Sequence, residues 1–374
     1  KIGKGGMVMV PPSPGGDTRM CLLLLLVMCG AVQGFLSPLP SLRPQARLAV
    51  ADLRPPPSRP GLLSLHASSP FLPTEMDEGT NTDPDHPILK NPLTLTDRFT
   101  QEKVTVYNHG ACVTSYKTPE YDVFFIRPDA VLDGSKPISG GVPFCFPQFG
   151  PGEIQQHGFA RNVNWTCADW REEAAGGSRG FSFTRDTARA VYELYDTKYT
   201  YDMWPNKFLS RYSVDLSAGM LTLDFRVKNL GTRAFDFTGA LHTYYAVRDI
   251  DTIEIRGDFK GKKYLDKVSG ETKTEERETL TVQEFTDSVY YGMDGDVELI
   301  DGERSVLISP VNGWKDLVIW NPYGEEKMGY KNFVCIENAC VEPQAVKGGE
   351  WWDSAVEIRP YCNDAPAFLE AMEE

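Results

Sequence analysis

Between Asp85 and Glu374 the chain is a series of short runs of β-branched and aromatic residues, several alternating apolar with polar. This period of two is the feature that most constrains the fold, because it is the period of a half-buried strand. The clearest runs are Val104–Tyr107, Val123–Ile126, Phe181–Thr184, Tyr212–Leu216, Leu221–Val227 and Thr252–Ile255. Leu216-Ser-Ala-Gly-Met-Leu221 reads as a hairpin turn between two of them. Amphipathic helices are scarce, with Ala188–Tyr195 the one modest candidate. Many strands joined by short turns predict an all-β fold, an antiparallel sandwich rather than a βαβ sheet. No Pro/Gly/Ser linker, repeat or low-complexity block divides this region. Residues 85–374 are therefore expected to form one domain, whose broad concave sheet face offers room for a ligand.

The preceding residues have a different composition. Arg19, the apolar run Cys21–Cys29 and the small residues before Phe35 read as a signal peptide within residues 1–34. The run is too short for a membrane span; the competing reading is a buried helix of the mature fold. Residues 35–84 begin rich in Pro, Ser, Leu and Arg, with Asp52 the one acid before Glu75. That composition is transit-peptide-like, and with the signal it predicts import into a complex plastid. A disordered linker in a secreted or endomembrane-lumen protein is the alternative.

Residues 75–374 hold 31 of the 38 basic and 50 of the 52 acidic residues, a net charge of −19. Such a surface repels polyanions, which argues against a nucleic-acid partner. A phosphorylated small molecule would need a local cluster of Arg or Lys. Six of the eight cysteines (Cys112, Cys145, Cys167, Cys335, Cys340 and Cys362) lie outside the signal segment and show no metal-finger spacing. They are expected to be reduced, and no metal site is predicted.

Five histidines are available for chemistry. His66 and His86 lie in polar N-terminal sequence, and His109 sits in a turn signal, Tyr107-Asn-His-Gly110. His157 belongs to Gln155-Gln-His-Gly-Phe-Ala-Arg-Asn162, which follows a block of paired glycines and repeated prolines from Leu132 to Pro151. These residues fix turns that neither helix nor strand supplies, and would present Gln156, His157 and Arg161 on one loop. A structural role and a ligand contact remain equally open for His157. Ala240-Leu-His-Thr-Tyr-Tyr-Ala-Val247 reads as a strand with His242, Tyr244 and Ala246 on one face. Glu337 follows the apolar run Phe333–Ile336, so burial is expected to raise its pKa unless it is partnered. A histidine and a glutamate meeting over a sheet would form an acid–base pair; chance placement is the alternative.

Taken together, these segments resemble the hexose-6-phosphate mutarotase branch of the aldose 1-epimerase family. The resemblance rests on Asp133-Gly-Ser-Lys136 with Gly140-Gly-Val-Pro143, on Gln156-His-Gly-Phe-Ala-Arg-Asn162, on Leu241-His-Thr-Tyr244 and on Val334-Cys-Ile-Glu337, in that order, and spans roughly residues 92–360. It implies a β-supersandwich, no cofactor and an isomerase that interconverts the α and β anomers of a hexose 6-phosphate. By resemblance, Glu337 takes the anomeric proton and His242 protonates the ring oxygen. Gln156, Arg161 and Asp287 match substrate-holding positions, with His157 beside them. Phe146, Tyr244 and Trp320 are candidates either for stacking on the sugar or for core packing. Where the family usually carries Arg before the paired glycines, this chain has Ser139; Arg127 is the expected substitute for a phosphate, whose geometry suits the guanidinium fork. The expected form is a monomer acting on a small sugar phosphate, with no membrane association once mature. The alternatives are an aldose 1-epimerase of free sugars and a catalytically silent carbohydrate-binding protein.

Overall fold

The structure is a computed structural model, and it describes residues 92–171 and 187–362. The signal and transit segments, His66, His86 and the run Phe181–Thr184 lie outside the described residues. The rest is built from antiparallel strands in three sheets. A three-stranded sheet comprises Leu93–Thr96, Lys103–Tyr107 and Cys112–Lys117. The eight-stranded sheet runs in spatial order Glu271–Thr274, Lys263–Asp266, Thr286–Tyr290, Asp316–Asn321, Phe333–Val346, Phe235–Leu241 and Phe144–Cys145, with Tyr244–Ala246 also paired to Phe333–Val346. The nine-stranded sheet runs Thr279–Leu280, Glu254–Arg256, Val297–Asp301, Arg304–Asn312, Trp351–Cys362, Met220–Asn229, Phe208–Ser217, Ala188–Tyr195 and Thr166–Arg171.

The two large sheets share one apolar core. Phe144 of the eight-stranded sheet meets Phe225 of the nine-stranded sheet at a ring separation of 4.2 Å, and Tyr212, Val334, Ile336 and Ile358 join the same cluster. Each fully buried aromatic or branched aliphatic side chain contributes about 1.5–3 kcal/mol. Phe146 belongs here and not to a sugar platform. It is wholly buried and packs against Phe159, Trp204, Phe208, Phe225 and Phe237.

The expected hairpin is present: Ser217 pairs with Met220, and both turn residues, Ala218 (φ 51°) and Gly219 (φ 74°), take the positive φ that a tight two-residue turn requires. Three local expectations need correction. Ala188–Tyr195 is a strand, not a helix. Its Ala188, Ala190, Tyr192 and Leu194 line the core at period two, and pairing with Phe208–Ser217 overrides the helix preference of its alanines. The α-helix Lys198–Met203 starts just beyond it, where Thr197 and Thr200 form a capping box. Val123–Ile126 is tied in by isolated bridges instead of a ladder, and Thr252 closes a 3-10 turn, with the strand starting at Glu254. His109 is structural: it is buried, with Nδ1 3.3 Å from Asn164 Oδ1 and Nε2 3.1 Å from the Lys136 carbonyl.

Candidate active site

Cross-strand register decides which side chains meet on the face of the eight-stranded sheet turned away from the core. Tyr244 pairs with Cys335, Cys335 with Trp320, and Trp320 with Asp287, so these four form one row. Glu337, Val318, Val289 and Leu265 form the next row. Leu241 pairs with Asn338 and Tyr244 with Cys335, so the register is unbroken between them and His242 faces Glu337. The strand expected over Ala240–Val247 is nevertheless interrupted at His242–Thr243. There the His242 N–H donates to the Pro143 carbonyl at 3.0 Å, and the Thr243 N–H donates to Leu241 at 2.9 Å. The ladder opens at the histidine while its side chain stays on the expected face.

His242 Nδ1 lies 3.2 Å from Glu337 Oε1. Both side chains are buried, and His242 Nδ1 and Glu337 Oε2 have no aligned hydrogen-bond partner. The contact is thus close in distance but not a formed hydrogen bond. Tyr244 stacks on the His242 ring at 5.0 Å and Trp320 meets it edge-on at 5.7 Å, which fixes the imidazole plane. Burial drives the pKa of His242 well down, helped by His157, Arg161 and Lys267. Burial drives Glu337 well up, reinforced by the Asp287 carboxylate and opposed by Lys267 and Arg161. The two groups therefore hold one proton between them over a wide pH range, with the neutral pair favoured in this dry setting.

The loop after the Gly/Pro block supplies the other side. Gly141 (φ 64°) brings main chain so close to the Cys112–Lys117 strand that a Cβ would lie 2.1 Å from the Val113 carbonyl oxygen. Gly158 (φ 70°) does the same against the Phe146 carbonyl, 2.2 Å away. Glycine is required at both. Between them His157, itself at φ 65°, turns its ring to within 5.6 Å of His242. His157 Nδ1 accepts from the Gly150 N–H at 3.2 Å and lies 3.3 Å from Cys145 Sγ. The proton of the neutral ring consequently sits on Nε2, and Gln156 Nε2, itself a donor, lies 3.3 Å from it, so the two nitrogens present N–H groups side by side. Burial, with Arg161 and Lys267 nearby, lowers its pKa to about 3, so His157 is a neutral donor. Arg161 Nη2 donates to the Gln156 carbonyl at 3.1 Å, and its buried Nε has no partner.

Of the residues expected from sequence, His242, Glu337, His157, Gln156, Arg161 and Asp287 therefore act on one another. Arg127 adjoins them through Tyr244, whose hydroxyl pKa it pulls down against the larger effect of burial. Its main-chain N–H donates to the Ser139 carbonyl at 3.0 Å, so it is the direct neighbour of the position where an arginine is missing. Its guanidinium forms a bidentate pair with Asp129 at 2.9 and 2.6 Å. Two participants were not anticipated. Lys267 Nζ, 2.8 Å from Asp287 Oδ2, influences both histidines and Glu337. Cys335 lies two residues before Glu337 on the same face, a period-two relation visible in sequence.

The chain matches the aldose 1-epimerase family over residues 92–359 and belongs to that family. It is accordingly an epimerase, an isomerase of carbohydrate metabolism. A protein of Cenchrus ciliaris provisionally named as a glucose-6-phosphate 1-epimerase is 32% identical over 278 residues, covering 69% of this chain and 82% of the relative. One of the same provisional name from Escherichia coli K12 is 30% identical over 256 residues, 64% and 80% of the two chains. Among solved structures, a Synechocystis sp. PCC 6803 protein superposes with a TM-score of 0.63 at 20% identity, covering 72% of this chain and 95% of that one. A Salmonella typhimurium protein provisionally described as a mutarotase gives 0.61 at 24% identity, with coverages of 70% and 88%. These likenesses show the mutarotase-like all-β fold. Among the described residues no helix is long and apolar enough to cross a membrane.

Proposed function

We propose that the chain interconverts the α and β anomers of a hexose 6-phosphate, with glucose 6-phosphate as the leading substrate, by acid–base ring opening between Glu337 and His242. The observation that carries this reading is the 3.2 Å approach of two buried, oppositely tuned groups, with His242 Nδ1 and Glu337 Oε2 left without a hydrogen-bond partner. Glu337 as carboxylate removes the proton of the anomeric hydroxyl while protonated His242 delivers one to the ring oxygen. The C1–O5 bond breaks and the open aldehyde forms. Carboxylate plus imidazolium becomes carboxylic acid plus imidazole, with no net change in protons. The dry surroundings favour that neutral pair, so they stabilise the enzyme in the state that accompanies the open chain. Rotation about C1–C2 presents the other carbonyl face, and closure reverses both transfers. Each positioned proton transfer contributes about 10²–10⁴ in rate. His157 Nε2–H, Gln156 and Arg161 hold sugar oxygens, and Asp287 with Lys267 sets the field on Glu337.

Arg127 is the phosphate contact in this reading, since it adjoins Ser139 and a guanidinium matches a phosphate bidentately. A second reading, epimerisation of free aldoses, is favoured by Ser139 itself and by the Asp129 carboxylate that already neutralises Arg127. Comparing catalysed anomer exchange on glucose 6-phosphate and on free glucose, for wild type and Arg127→Ala, decides between them. A phosphate preference that collapses in the variant supports the first; a preference the variant leaves intact removes Arg127 from it. The N-terminal sequence carries the further proposal of plastid import, tested by whether residues 1–84 direct a fluorescent protein to that organelle.

A further inference from the structure

Three metal-ligating atoms converge at the base of this site. Cys335 Sγ, a nitrogen of His242 and a carboxylate oxygen of Glu337 all lie within 4.8 Å of one another. Cys335 and Glu337 alternate on one strand, and His242 faces Glu337 from the interrupted neighbour. All three residues are at least nine-tenths buried, at 0%, 9% and 2% exposure for Cys335, His242 and Glu337. His242 Nδ1 and Glu337 Oε2 have no hydrogen-bond partner, so binding an ion there breaks no existing bond of theirs.

We infer that this trio is an inhibitory site for a thiophilic divalent cation of the zinc class. Thiolate, imidazole and carboxylate are the ligand types that zinc takes, and three protein ligands with an open fourth position are the arrangement of its exchangeable sites. Zinc bonds of about 2.0–2.3 Å place neighbouring donors roughly 3.4–3.6 Å apart in a tetrahedron. The His242 Nδ1 to Glu337 Oε1 spacing of 3.2 Å is already close to this, so Cys335 Sγ supplies most of the adjustment. On binding, the Cys335 thiol proton and the one proton held between His242 and Glu337 leave to solvent, and the metal occupies the lone pairs that the epimerase reaction needs. Magnesium and calcium, which prefer all-oxygen shells, do not compete. Binding stands on the geometry alone, whereas inhibition rests on the acid–base reading of His242 and Glu337.

The test is a titration of the full chain with one equivalent of Co²⁺ as a spectroscopic substitute, followed by Zn²⁺ in the anomer-exchange assay. A thiolate-to-cobalt charge-transfer band is expected in wild type and is expected to vanish in Cys335→Ser and in His242→Asn. Micromolar Zn²⁺ is expected to suppress exchange on glucose 6-phosphate at least tenfold, reversibly with EDTA. Measured against its own metal-free exchange, Cys335→Ser should lose at least tenfold in zinc sensitivity. A cobalt band that is absent, or that persists unchanged in both variants, overturns the site. Zinc inhibition equally strong in Cys335→Ser overturns it as well. A Cys335-dependent band in a protein that catalyses no exchange would support the site while contradicting the epimerase mechanism.

Discussion

Ile336 and Glu337 are consecutive residues on the central strand Phe333–Val346, and both are buried, but on opposite faces of one sheet. Ile336 faces the nine-stranded sheet among Val334, Leu241, Tyr245 and Ile358, where burial and packing favour the fold at every pH. Glu337 faces the other way beside His242, with Oε2 unpartnered and its charged form penalised. An unsatisfied buried polar group costs about 1–3 kcal/mol. The outer face therefore carries a stability cost at the position where proton transfer needs a poised carboxyl, and the inner face offsets it. One strand thus separates the two tasks by the two-residue period of its side chains.

The largest expected effect is on activity. Glu337→Gln should lower the turnover of anomer exchange by about 10²–10⁴, the range of a lost proton transfer, while the protein stays folded. Its stability should also respond to pH in a defined direction. The raised pKa of Glu337 means that its burial carries no ionisation penalty below 4.5 and a growing one as pH rises above that value. The depressed pKa of His242 acts in the opposite, acidic direction, and is common to both proteins. The Tm difference between Glu337→Gln and wild type should therefore shift in favour of the variant between pH 5 and 8. A pH-independent difference would mean that Glu337 is solvated.

Ile336→Ala is the contrasting change one residue away. It should destabilise by about 2–5 kcal/mol, as cavity-forming core substitutions do, measured by denaturant unfolding. Turnover per folded molecule should remain within a few-fold of wild type. If instead it loses as much activity as Glu337→Gln, the two faces are not separable. Arg127→Ala, at the edge of the outer face, should raise KM for glucose 6-phosphate by about tenfold, equivalent to 1.4 kcal/mol, with kcat little altered. The smallest effect should be that of pH on kcat/KM. His242 is displaced well below 6.5 and Glu337 well above 4.5, which widens the interval over which the pair carries one proton. As far as this pair decides it, neither limb of the profile should fall at the ordinary histidine or carboxylate value, and a limb at 6.5 would show an unperturbed imidazole.

Much of this was legible in the chain, for reasons that differ by element. The Ser217–Met220 hairpin was readable because Ala-Gly sits between two alternating runs and the turn chemistry is local. His242 and Glu337 were readable as a pair through family motifs, whereas their opposition depends on a register that only pairing across strands reveals. Ala188–Tyr195 misled because its alanines, glutamate and leucine suit a helix, and the pairing with Phe208–Ser217 that decides otherwise is tertiary. Phe146 carried no local sign of facing the core. Lys267 was hidden for another reason. Its role comes from the 2.8 Å ion pair with Asp287, twenty residues away in sequence and adjacent across the sheet.

The most direct test of the central claim is saturation transfer between the α and β anomeric proton signals of glucose 6-phosphate, with wild type, Glu337→Gln and Ile336→Ala compared at equal folded concentration. The acid–base account predicts enzyme-dependent exchange in wild type and Ile336→Ala that is lost in Glu337→Gln. Exchange that persists undiminished in Glu337→Gln would contradict it.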